Sequence, residues 1–230
     1  MGNSRLYRTV RYNTHNLIRK ILIADDHVAV REGLVRILNH EFPSAQCQLA
    51  EEPAQIIRLA TADYYDLLVL DLSLPGRGGL DVIKQIKDIS PNTAILIYTV
   101  HPDDEFGLRA LRAGADGYVT KDRPVEELLT AIVRVSEGKR YLSEALTERM
   151  ANLVLHPSEA PPHENLSDRE LQILQMLGAG LTPSVIAARL NLSIKTVSTY
   201  RTRLLGKLDL NTTGELIRYA VENKITPPAS

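Results

Sequence analysis

Short apolar runs alternate with amphipathic stretches over the first 140 residues, and amphipathic stretches alone follow. Lys20-Ile21-Leu22-Ile23-Ala24, Leu67-Leu68-Val69-Leu70 and Gly117-Tyr118-Val119-Thr120 read as strands, as do residues 46–50 and 94–98. Runs this short with consecutive apolar positions fit strands buried on both faces. Between them, apolar residues recur near every 3.6 positions. Val30, Leu34, Val35, Ile37 and Leu38 predict a helix over 30–39, and a short one follows over 54–60. Leu80, Val82, Ile83 and Ile86 predict a helix over 79–89. Two more are predicted over 104–113 and 125–137, stopped by Gly114 and Gly138. Five strands alternating with five helices specify a doubly wound (βα)5 parallel sheet covered on both faces, an α/β fold.

The second part has a different grammar. Tyr141, Leu142, Leu146, Met150 and Leu153 predict a helix from about Ser143, and residues 156–165 then read as a linker, extended around Pro161-Pro162. Ser167 and Glu170 form a capping box with Leu166 as its staple, opening a helix whose apolar side is Leu171, Ile173, Leu174 and Leu177. Thr182 caps a second helix with Pro183 at its first position. The turn Asn191-Leu192-Ser193 leads to a third over 194–208, and a fourth covers 213–222. This is an all-α, four-helix unit with the geometry of a helix-turn-helix. The expected organisation is a basic extension over 1–19, an α/β domain over 20–140, a linker over 141–165 and the helical domain over 166–230.

Charge supports that division. The net charge of −1 conceals +4 over residues 1–19, −6 over 20–150, −2 over 151–165 and +3 over 166–230. Different regions therefore face different partners. Residues 1–19 read either as an unstructured extension or as an arm for an anionic surface. A single cysteine, Cys47, excludes an internal disulfide and suits a reducing cytoplasm. No apolar run reaches the ~18 residues that span a bilayer, so no membrane partner is expected.

The strands of the first domain end in Asp25-Asp26, Asp71, Thr99 and Lys121. Taken alone, Asp71 reads first as a cap for the next helix. The joint placement reverses this, because in a doubly wound sheet the carboxyl ends share one edge where ligands bind. Clustered carboxylates repel unless a cation neutralises them, and oxygen ligands favour Mg2+ beside phosphate. Asp71 can then act as a carboxylate nucleophile towards phosphorus, with the Thr99 hydroxyl and the Lys121 ammonium meeting the transferred group.

In the helical domain, residues 189–208 carry five basic side chains and no acid. Val197, Leu204 and Leu208 form an inward stripe, while Lys195, Ser198, Thr199 and Thr202 share another face. Such a helix fits the major groove of double-stranded DNA. The candidate contacts are Lys195, Thr196, Ser198, Thr199, Thr202, Arg203 and Lys207.

Asp25-Asp26-His27, Asp71 with Pro75-Gly76, Thr99 and Lys121 resemble the receiver domain of two-component response regulators over about residues 20–140. Leu166-Ser167-Asp168-Arg169-Glu170 and Ser193-Ile194-Lys195-Thr196-Val197-Ser198 resemble a LuxR-type DNA-binding domain over about 165–225. Together the chain resembles a NarL/FixJ-type response regulator. The resemblance implies that Asp71 accepts phosphate from a sensor histidine kinase, and that Asp25, Asp26, Asp71 and the Ser73 carbonyl hold Mg2+. It also implies that Tyr118 is a switch aromatic, and that the phosphorylated protein dimerises on promoter half-sites through its last helix, at Leu216 and Tyr219. Leu74 stands where methionine is common. Asp122 stands where many receivers have proline, so the cis bond usual there is not carried over. Thr182-Pro183-Ser184-Val185-Ile186-Ala187 departs from the usual polar-acidic pattern.

The expectation is a transcription regulator with no enzymatic turnover of its own beyond self-phosphorylation from small donors and self-dephosphorylation. Two other readings stay open. One is a DNA-binding regulator that uses its receiver only to dimerise. The other is a Mg2+-dependent phosphatase, which would usually want a carboxylate where Ser73 stands.

Overall fold

The computed structural model describes residues 18–74, 79–155, 161–223 and 225, apart from the side chains of residues 104, 105 and 154. The expected basic extension lies almost wholly outside these residues. So do the Pro75-Gly76 turn and the first half of the Pro-rich linker. Contacts divide the chain into two compact units between Thr147 and Glu148.

The first unit holds β1 (Lys20–Ala24), α1 (Val28–Glu41), β2 (Gln46–Ala50), α2 (Pro53–Ala62), β3 (Leu67–Leu70) and α3 (Gly79–Ile89). It continues with β4 (Ala94–Thr99), α4 (Asp103–Ala113), β5 (Gly117–Thr120) and α5 (Val125–Ser136). The strands form one parallel sheet in the order β2-β1-β3-β4-β5. Ile21, Ile23, Leu67, Val69, Leu96 and Val119 point to one face, where Leu34 and Leu38 of α1 and Leu128, Ala131, Ile132 and Val135 of α5 cover them. The alternate residues Leu22, Leu68, Ile95 and Ile97 are buried on the other face, beside the successively packed α2, α3 and α4. This two-sided burial is why β1, β3 and β4 read as largely continuous apolar runs, whereas the edge strand β2 is mostly exposed. After α5 the chain returns along β5, where Tyr141 exchanges backbone bonds with Tyr118 and Asp116 and protects the sheet edge.

The predicted elements are all present; α1, α2 and α4 extend one or two residues beyond the expected ends, and α5 stops one residue short. Periodicity registers apolar positions and misses a polar final turn. Gly114, at φ 113°, supplies the left-handed cap that stops α4.

Helix α6 (Glu144–Leu155) spans the division between the units. Ser143 opens it, its hydroxyl accepting from Leu146 N at 3.0 Å. The end of the expected extended linker is instead a 3₁₀ turn, Pro162–Asn165. Proline at its first position presets φ, and Arg149 pairs with Glu164 at 2.6 Å to hold it.

The second unit contains α7 (Asp168–Gly178), α8 (Pro183–Arg189), α9 (Ile194–Leu208) and α10 (Thr213–Glu222) around Leu171, Leu174, Ile186, Val197, Leu204, Leu208, Leu216 and Ala220. The Ser167–Glu170 capping box is formed as expected. Thr182 is the N-cap of α8, but its hydroxyl pairs with that of Ser184 at 3.0 Å rather than with a helix N–H. The helix-turn-helix bend places Asn191 at φ 52°, a left-handed conformation that asparagine tolerates.

Candidate functional site

The switch point of the sheet lies between β1 and β3, where the strand order reverses. Backbone pairing continues one residue past each strand. Asp71 N donates to Ala24 O at 2.8 Å and Asp25 N to Ala50 O at 3.2 Å, while Lys121 N donates to Thr99 O at 2.8 Å. Parallel register therefore carries the polar strand-end residues to one edge.

There they meet. Asp71 is only 1% exposed, and Asp25 and Thr99 are buried too. The Lys121 ammonium donates to Asp25 Oδ2 at 2.6 Å and to Asp71 Oδ2 at 2.7 Å. The Thr99 hydroxyl donates to Asp71 Oδ1 at 2.7 Å, and the Ser73 N–H reaches the same oxygen at 3.0 Å. Asp26 completes the acidic face. Donor atoms of Asp25, Asp26, His27 and Asp71 all lie within 4.8 Å of one another.

Three carboxylates here face one ammonium. Burial pushes the Asp71 carboxyl up, but Lys121, Thr99 and the Ser73 N–H more than offset this, so it lies below its ordinary value and is ionised at neutral pH. For Lys121, burial lowers the pKa, and hydrogen bonds to Asp25 and Asp71 outweigh it and hold the ammonium charged. The cluster keeps an excess of negative charge. Its oxygen-rich donor set fits a hard divalent cation.

Tyr118 is turned inward, and its hydroxyl donates to His101 O at 3.0 Å in the loop after β4. His101 N lies 3.5 Å from Thr99 Oγ1. Tyr118 and Thr99 thus hold the same loop from two sides. Among the described residues no peptide bond is cis, that between Lys121 and Asp122 included.

Two neighbours carried no role in the sequence reading. His27 sits with its Nδ1 at 2.7 Å from Asp26 Oδ1, and its N–H donates to Asp25 Oδ1 at 2.8 Å. His101 is largely buried, with Nδ1 unpartnered and its ring against Phe106. Burial pushes its pKa down, against the pull of Asp71. Adjacency to Asp26 and to Thr99 was the available signal, but a lone histidine says nothing about its orientation.

In the second unit, Lys195, Thr199, Thr202 and Arg203 are exposed on α9, and Thr196 and Ser198 are half-buried. Ser193 caps the helix by accepting from Thr196 N at 3.0 Å. The Thr199 and Thr202 hydroxyls donate back to the carbonyls of Lys195 and Ser198 at 3.0 and 3.1 Å. Lys207 points elsewhere, pairing at 2.8 Å with Glu170 on α7.

The expectation for α10 needs correction. Leu216 is 0% exposed, locked in the core of its own unit, and has no surface to offer a second chain. The Tyr219 hydroxyl is engaged by His163 Nδ1 at 2.9 Å. The exposed face of α10 carries Arg218 and Val221 instead, Val221 being 56% exposed.

Comparison with known proteins agrees with this division. Residues 21–133 match the response regulator receiver domain family, and residues 164–220 match the luxR family of bacterial regulatory proteins. The chain is 35% identical over 214 residues to the oxygen regulatory protein NreC of Staphylococcus epidermidis, spanning 90% of this chain and 98% of that protein. The NreC protein of Staphylococcus haemolyticus is 37% identical over 213 residues, with the same coverage. Among solved structures, a LuxR-family two-component response regulator from Aurantimonas sp. SI85-9A1 is similar at 33% identity and TM-score 0.54, over 60% of this chain and 99% of that one. RcsB from Salmonella enterica serovar Typhimurium, bound to a promoter in the presence of phosphomimetic BeF3−, is similar at 25% identity and TM-score 0.55, over 87% and 97%.

Proposed function

This chain belongs to the two-component response regulators that join a receiver domain to a LuxR-type DNA-binding domain, and from that premise we propose that phosphorylation of Asp71 controls its binding to DNA. The domains take part as 20–140 for the receiver, 141–165 for the linker and 166–230 for DNA. One observation carries the reading: Lys121 and Thr99, from two other strand ends, both donate to the buried Asp71 carboxylate.

Asp25, Asp26, Asp71 and the Ser73 carbonyl would hold Mg2+, in keeping with the acidic donor set. Bound there, the ion would neutralise their excess charge and that of an incoming phosphoryl group. An Asp71 oxygen forms the new bond to phosphorus as the bond to the donor, a phosphohistidine of a sensor kinase, breaks. Lys121 then turns from the carboxylates to a phosphoryl oxygen, and the Thr99 hydroxyl leaves Asp71 Oδ1 for another. Thr99 shares the loop after β4 with Tyr118, so its movement biases the bond between Tyr118 and His101. That shift favours a dimer, in which the exposed Arg218 and Val221 face of α10 takes the role first expected of Leu216.

On DNA, α9 enters the major groove. Lys195, Thr196, Ser198, Thr199 and Thr202 reach base edges and phosphates, and Arg203 and Lys207 add positive charge. Lys207 must exchange Glu170 for a phosphate to do so. Among the described residues no helix is long and apolar enough to cross a membrane. The proposed partners, a kinase and promoter DNA, put its action in the cytoplasm.

The test measures phosphoryl uptake from acetyl phosphate with Mg2+ by intact mass, alongside capture of genomic DNA fragments. Wild-type chain should gain one phosphoryl group and bind selected fragments more tightly. Asp71→Asn should do neither. Label on Asp71→Asn overturns the assignment. DNA binding indifferent to both donor and substitution favours a receiver used only for dimerisation.

A further inference from the structure

Arg31 lies on the inward face of α1 with Leu34 and Leu38 and is 4% exposed. The proposed chemistry makes no use of it. A buried guanidinium is unfavourable unless its donors are satisfied, so its partners show what it is for. Nη1 donates to the backbone carbonyl of Asp25 at 2.5 Å, and Nη2 pairs with the Glu51 carboxylate. The Asp25 N–H in turn donates to the carbonyl of Ala50, the residue before Glu51. These bonds close a ring that runs through Asp25, Arg31, Glu51 and Ala50. It staples the turn after β1 to the end of β2.

That turn carries two of the three carboxylates of the acidic face. Its backbone is held on both sides of Asp25, by Ala50 through the N–H and by Arg31 through the carbonyl. The Asp25 side chain is held as well, with His27 N–H on Oδ1 and Lys121 on Oδ2. Mg2+ demands near-octahedral ligands, whereas Ca2+ accepts irregular sets. A site selective for the smaller ion needs its carboxylates aimed before the ion arrives.

We propose that Arg31 is a positioning residue for the cation site, its forked guanidinium fixing the Asp25 backbone so that Asp25 and Asp26 face the ion in a set geometry. This rests on the Mg2+ reading of the acidic cluster. Lysine is no equal replacement, because its compact ammonium lacks the wide, rigid planar fork that holds the Asp25 carbonyl and the Glu51 carboxylate in fixed directions. Glu51, 65% exposed on its side chain, anchors the other arm and offsets the buried charge.

Calorimetric titration of the full chain with Mg2+ and with Ca2+, together with thermal melting, tests the assignment. Wild type should prefer Mg2+. Arg31→Lys retains the charge but should lose about tenfold in Mg2+ affinity, the usual scale for groups that orient metal ligands. Its Ca2+ affinity should fall less, so the ratio between the ions drops. Glu51→Gln, at an exposed position, should shift the ratio the same way by about two- to threefold, as the ion-paired arm weakens. Unchanged affinities in Arg31→Lys with a lower melting temperature make Arg31 a stability residue and overturn the proposal. Equal losses for both ions also overturn it. If Arg31→Lys fails to fold, unchanged Mg2+ affinity in Glu51→Gln overturns it. A wild-type chain that binds neither ion overturns the site reading itself.

Discussion

Each unit of this protein closes a buried carboxylate with a lysine, and the two pairs behave differently. In the helical unit, Glu170 accepts from the Ser167 N–H at 2.7 Å, the Ser167 hydroxyl at 2.9 Å and Lys207 at 2.8 Å. One negative charge meets one positive charge, and all three bonds converge on Oε2. In the receiver, Lys121 faces Asp25, Asp71 and the neighbouring Asp26 at the open edge of a sheet. The first pair is balanced and holds helices together. The second is overloaded with negative charge and keeps a demand for a cation. Similar bonds serve architecture or chemistry according to whether local charge is balanced.

Lys121→Met should break the contrast most severely. Phosphoryl uptake from acetyl phosphate should slow about 100-fold, the scale of losing one group that stabilises transferred charge. Mg2+ affinity should rise, since the competing ammonium is gone, as calorimetry would show. A slower reaction with weaker Mg2+ binding would mean that the site had simply unfolded.

Glu170→Ala should destabilise the helical unit by about 2 kcal/mol, through the lost capping box and the unpaired Lys207. Urea unfolding of the full chain would show an earlier helical transition with phosphoryl uptake unchanged. Lys195→Ala should weaken DNA binding several-fold and reduce the salt slope by about one, as for a single phosphate contact. An unchanged slope would remove Lys195 from the interface.

The smallest effect is in acid. Burial raises the Glu170 pKa, but Lys207 and Ser167 bring it net below its ordinary 4.5. The ionised group therefore stabilises the fold fully above 4.5, and that contribution fades as pH falls through the lower folded value. Lys207→Met should move the acid midpoint of the helical transition upward, followed by circular dichroism.

Much of this was legible in the chain. The inner strands were visible because both faces of the sheet are covered there, which makes nearly every position apolar, whereas the edge strand β2, with Gln46 and Gln48 exposed, was the weakest signal. Ser167 and Glu170 could be read as a capping box because they lie three residues apart on one turn. Asp25, Asp26, Asp71, Thr99 and Lys121 stood out because polar residues close otherwise apolar strands. Arg31 did not stand out, since its spacing from Leu34 and Leu38 marks a buried position without naming the partner that makes burial tolerable. Leu216 was assigned to dimerisation by the family resemblance, which points to the last helix without saying which of its sides packs into its own unit, where Leu216 is buried. The 3₁₀ turn at Pro162–Asn165 escaped because prolines announce a break and leave its geometry open.

By itself, then, the sequence determined most of what is set within one or two turns of chain: the strands and α-helices, the Ser167–Glu170 capping box and the acids at strand ends. Only the tertiary structure decided which distant groups meet. Lys121 reaches Asp71 across 50 positions and Asp25 across 96, and Lys207 reaches Glu170 across 37. Local propensities act over a few residues. Contacts between remote side chains depend on strand order and helix packing, which no short window of sequence contains.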